Sequence, residues 1–81
     1  MYESALNKID DMKKDIARGD EVALCMHALE LSVRLGGDEV AEPLVNACRS
    51  SYRDGRIHAN VSLELDELSK KLAAPFTAPK P

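Results

Sequence analysis

Cysteine is scarce in this chain of 81 residues, and the two present, Cys25 and Cys48, stand apart in strongly apolar-periodic segments. A secreted mini-protein of this length usually relies on a denser disulfide framework, whereas a free cysteine in a helix behaves as a small buried hydrophobe. The opening Met1-Tyr2-Glu3-Ser4-Ala5-Leu6-Asn7-Lys8 has neither the basic region nor the apolar stretch of a secretory signal. The expectation is a reducing, cytoplasmic setting. Metal-ligand spacing is missing as well. The candidates are Cys25, His27, Cys48 and His58, with no CxxC or HxxxH pair among them. Cys25 and His27 are two apart and point to different sides of a helix. No metal site is expected.

The chain also lacks an excess of positive charge. Eleven Lys and Arg stand against fourteen Asp and Glu, which disfavours a dedicated nucleic-acid binder that must neutralise phosphates. No apolar run approaches the roughly 20 residues of a membrane span. Gly-rich phosphate loops, the G-x-S-x-G elbow and the metal-binding helix signature are all missing, so no enzyme and no cofactor are expected. Asp10-Asp11 and Asp66-Glu67 are adjacent carboxylates, but neighbours on a helix point about 100° apart. They read as solvated surface.

What is present is helical periodicity. From about Glu3 to Arg18, apolar residues fall at Tyr2, Ala5, Leu6, Ile9, Met12 and Ile16, a single stripe, and four acids balance four bases on the remainder. Gly19 then suits a helix C′ position and Asp20 the next N-cap. The five residues Gly19-Asp20-Glu21-Val22-Ala23 recur unchanged as Gly37-Asp38-Glu39-Val40-Ala41. The copies diverge afterwards, and the period of 18 is too short for a helical-repeat family. They read as two uses of one stop–cap–start device.

The second helix, Asp20 to Leu35, carries two apolar stripes. Val22, Cys25, Met26, Leu29 and Val33 form one, and Leu24, Ala28, Leu31 and Leu35 form the other, roughly opposite. Only His27, Glu30 and Arg34 keep a sector polar, with Glu30 and Arg34 spaced to pair and His27 three residues from Glu30. A helix apolar on both sides is expected to lie at the centre of a bundle. The third helix, from Asp38 or nearer Glu42 to about Arg53, should bury Val40, Ala41, Leu44, Val45, Ala47, Cys48 and Tyr52. Glu42, Asn46, Arg49 and Arg53 then lie outside, and Asp54-Gly55 stops the helix.

Residues 56–66 support two readings. Strict alternation of Ile57, Ala59, Val61, Leu63 and Leu65 with polar residues is the signature of a half-buried strand. Val61, Leu65, Leu68 and Leu72 equally form a helical stripe. Because a single strand would have no partner in the chain, the favoured reading is a helix from about Val61 to Ala73, capped by Asn60 and leaving Leu63 outside. Prolines at 75, 79 and 81 mark a flexible tail, in which Phe76, the only phenylalanine, could dock back.

The sequence thus predicts an all-α, compact bundle of three long helices and a shorter fourth over residues 1–74, joined by tight Gly-Asp turns, with a Pro-rich tail at 75–81. A domain this small buries only about 60% of its unfolded surface. One core of this size rarely supplies more than about 3–5 kcal/mol. Without a disulfide or metal, self-association is the remaining route to added stability. The expected function is to bind another protein, as a regulator, inhibitor or adaptor of the kind phages and plasmids often encode, with the chain itself a homodimer. The expected contact residues are Leu24, Leu31 and Leu35 on the second helix, or Val61, Leu65, Leu68 and Leu72 on the fourth. The alternative is a nucleic-acid-associated regulator using the third-helix arginines, with Leu35-Gly36-Gly37 as the turn of a helix-turn-helix. The acids and proline of Asp38-Glu39-Val40-Ala41-Glu42-Pro43, at the leading end of its recognition helix, argue against it.

Overall fold

The computed structural model describes residues 3–37 and 39–73. Among the described residues four α-helices follow one another: α1 (Glu3–Arg18), α2 (Glu21–Arg34), α3 (Glu42–Asp54) and α4 (Asn60–Ala73), with a 3₁₀ turn at Glu39–Ala41 leading into α3. The described residues contain no strand. The fourth helix, at 14 residues, is as long as α2, not shorter as its sequence suggested. Residues 75–81, with Phe76, lie outside the described residues, as do Tyr2 and the cap position Asp38.

Three of the four helices end in the same way. Gly19 N–H bonds to Ile16 O (3.1 Å) and Asp20 N–H to Asp15 O (2.9 Å), the paired bonds of a Schellman motif. The motif needs a left-handed residue at C′, which Gly19 supplies at φ 70°. Gly36-Gly37 after α2 and Gly55-Arg56 after α3 repeat the same two bonds. Asp20 then caps α2, its carboxylate accepting from Ala23 N–H at 3.0 Å, as the sequence predicted.

The principal packing pairs are α1–α2, α2–α3, α3–α4 and α1–α4, which close a four-membered ring. Each helix turns one stripe inward. Ala5, Ile9 and Met12 come from α1 and Leu24, Ala28 and Leu31 from α2. Leu44, Val45, Ala47 and Cys48 come from α3, and Val61, Leu65, Leu68 and Leu72 from α4. Leu6, Ile16, Leu35, Val40 and Ile57 pack around them, partly buried.

This ring corrects the expectation that α2 is central. With four helices of similar length, every helix occupies a corner and buries one face, so the second stripe of α2 is left outside. Tyr52 is a second correction. It was expected in the core of α3 but is 55% exposed, and Ser51 is buried in its place. The Ser51 hydroxyl donates to Ala47 O (2.9 Å) and accepts from His58 N–H (3.0 Å), pinning the α3–α4 connection. His58 Nε2 in turn meets the Asp54 carboxylate at 2.8 Å. The stretch that alternated like a strand is helical from Asn60, and Leu63 points outward, 67% exposed. Asn60 is itself the first helical residue, not a cap.

Candidate functional site

The residues expected to meet a partner lie mostly inside this fold. Leu24 and Leu31 are fully buried, Leu35 is partly buried, and Val61, Leu65, Leu68 and Leu72 are core. Neither stripe is a surface. The reason is geometric: α2 and α4 sit at opposite corners of the ring, and these two stripes are the faces they turn toward α1 and α3.

The apolar surface lies on the other side of α2. Val22 is 47% exposed, Met26 58%, Leu29 46% and Val33 77%. They stand four, three and four residues apart, the spacing that keeps side chains in one seam along a helix. The sequence did mark this stripe, but it could not say which of the two stripes the bundle would cover.

The edges of the seam differ. Toward α1 the boundary is polar. Lys8 Nζ reaches Glu30 at 2.8 Å and Asp11 at 3.6 Å, and Arg34 donates to the Ser4 hydroxyl. The hydrogen bond and charge of Lys8 hold the Glu30 carboxyl below its ordinary pKa. Glu30 thus spends its charge on α1, not on the i,i+4 partner Arg34 that its spacing suggested. Toward α3 the boundary is made of small residues, Cys25 and Ser32, with Ser32 lining a shallow depression beside Val45, Asn46 and Arg49.

A second cluster went unread in the sequence. Asp15 is 1% exposed, yet its carboxylate accepts from His27 Nδ1 and from Arg18, each at 2.5 Å. A buried carboxylate is tolerated only when paired and hydrogen-bonded in this way. His27 therefore pairs with Asp15 across the α1–α2 contact and not with Glu30 on its own helix. The available signal was position: Asp15 falls three residues after Met12, on the edge of the apolar stripe of α1.

The two thiols are free. Burial pushes the Cys48 thiol up to about 12, and neighbouring Cys25 adds to the shift, so Cys48 stays protonated and inert. Among the described residues, no three His, Cys, Asp or Glu side chains gather as metal ligands, and no helix is long and apolar enough to cross a membrane. On α3, the arginines of the alternative reading, Arg49 and Arg53, are exposed, but so are Glu42 at its start and Glu39 in the 3₁₀ turn that leads into it. Compared with known proteins, the chain matches no family model, no curated protein and no solved structure.

Proposed function

We propose that this chain is a protein-interaction module whose docking face is the outer seam of α2, Val22, Met26, Leu29 and Val33, and that it regulates, inhibits or adapts what it binds. The observation that supports this reading is the seam itself. Four apolar side chains stand exposed and contiguous at helix-pairing spacing, on a domain whose other helices each turn their main apolar stripe inward. Contiguous exposed apolar surface of this kind marks a partner site more often than chance. Helix-in-groove and helix-pair recognition both read anchors at this repeat. Two free thiols suit work in a reducing cytoplasm.

The test is capture from host lysate with tagged protein and its Met26→Glu variant, with and without nuclease and at raised salt. Protein contacts made by an apolar seam survive both treatments, because phosphate contacts alone carry the steep salt dependence. Retention that is nuclease-resistant in the parent and lost in Met26→Glu is the expected result. Retention abolished by nuclease in the parent would instead support a nucleic-acid role.

A further inference from the structure

We infer that the chain seated on the outer seam of α2 is a second copy of this chain, its α2 lying antiparallel to the first. The inference rests on reading that seam as a docking face, and it names the occupant.

The first argument is spacing. Steps of four, three and four residues read the same in both directions. A two-fold axis midway between Met26 and Leu29 sets Val22 opposite the partner's Val33, and Met26 opposite the partner's Leu29. Each contact then repeats with the roles exchanged, as an isologous interface requires. Side-chain shape matches as well. The two outer layers pair β-branched valines, and the two inner layers pair long flexible side chains, so the layers are even in height.

The second argument is charge. In an antiparallel pair, the same edge of each helix faces its own copy. On the α1 side this brings Glu30 beside the partner's Ala23, and on the α3 side it brings Cys25 beside the partner's Ser32. Between the two α2 helices no like charges meet, and like-charge opposition is the usual barrier to self-pairing. Glu30 is also already neutralised within its own chain by Lys8 at 2.8 Å. The charged groups at the α1 edge, Glu30 and Arg34, are already engaged within the chain, by Lys8 and by the Ser4 hydroxyl, which leaves the four uncharged seam side chains to select the partner.

Sedimentation equilibrium over a wide range of chain concentration tests the inference on three proteins: the parent, Met26→Glu, and Leu63→Glu as a control on the exposed side of α4. Both substituted positions are outside the core, so circular dichroism should show the same helicity. The expected result is a parent dimer, a Leu63→Glu dimer of equal strength, and a Met26→Glu dimer weakened by about a hundredfold or more, the loss typical of a central apolar anchor. Orientation is read by mixing Val22→Cys and Val33→Cys chains, each in a Cys25→Ser background, with glutathione disulfide as oxidant. A disulfide joining the two different variants supports the antiparallel pair, and Val22→Cys linking to itself overturns it. A parent that stays monomeric while Met26→Glu abolishes capture of another protein overturns the inference and leaves the docking face standing. A dimer indifferent to Met26→Glu overturns the inference, and unchanged capture would sink the docking reading with it.

Discussion

The two faces of α2 are nearly equal in apolar character but opposite in fate. Leu24, Ala28 and Leu31 are fully buried, while Val22, Met26, Leu29 and Val33, on the other side of the same 14-residue helix, stand about half exposed or more. One face is spent on folding, and the other is free to be spent on association. Hydrophobicity alone does not separate these roles. What separates them is which side the neighbouring helices occupy, and α1 and α3 both pack on the Leu24–Leu31 side.

The sharpest way to break the comparison is to truncate the inner face. Leu31→Ala is expected to cost about 2–5 kcal/mol, the range for a fully buried leucine. Since one core of this size supplies about 3–5 kcal/mol, the variant should melt near or below room temperature, read by far-UV circular dichroism. If Leu31→Ala melts like the parent, the inner and outer faces have been assigned the wrong way round.

A smaller effect probes the core on the other side of the inner face, at Cys48 of α3. Its folded pKa of about 12 lies above the ordinary thiol value of 9.0. Between those values the unfolded chain gives up this proton and the folded chain keeps it, so the unfolded state binds fewer protons and stability falls as pH rises. The stabilisation from the neutral thiol is fully present below about pH 9 and is lost above it, at up to about 1.4 kcal/mol per pH unit. Denaturant titrations at pH 8 and pH 10, compared between the parent and Cys48→Ala, isolate this group from the lysines and tyrosines that also titrate there. The expected outcome is a shallower fall in the variant, and identical slopes would place Cys48 in contact with water.

The smallest expected effect completes the contrast. Val33→Glu, at the most exposed position of the outer seam, should leave the stability of the isolated fold within about 0.5 kcal/mol, as surface substitutions do. Any stability it does lose should depend on chain concentration, because a dimer stabilises its fold by mass action. Thermal melts at two widely separated concentrations distinguish the cases. A large loss that ignores concentration would mean that Val33 packs within its own chain.

Much of the architecture was legible from local pattern. The bounds of α1, the cap at Asp20, the stop at Gly55, the helical reading of residues 61–73 and the outward Leu63 all follow from periodicity and from residues with narrow backbone preferences. Pairings across the α1–α2 contact were not legible. Glu30 and His27 had partners at hand on their own helix, yet the fold gave them Lys8 and Asp15, because a buried carboxylate must be answered by whatever donor reaches it.

The repeated five residues show the limit of local information. After Gly19-Asp20, the residues Glu21-Val22-Ala23 form the first turn of an α-helix, with Val22 exposed. After Gly37-Asp38, the same Glu39-Val40-Ala41 form a 3₁₀ turn, with Ala41 fully buried. Pro43 explains the difference. It has no N–H to return to Glu39 O, so an α-helix cannot run through from Glu39.

The sequence by itself determined that this chain is helical, where its helices stop, and that α2 carries more apolar surface than one contact needs. Helix, cap and turn are set by bonds between residues a few positions apart, and those residues are neighbours in the sequence. Only the tertiary structure decided which stripe of α2 became core, because that choice depends on where α1 and α3 close around it, and a stripe bears no mark of its future neighbour.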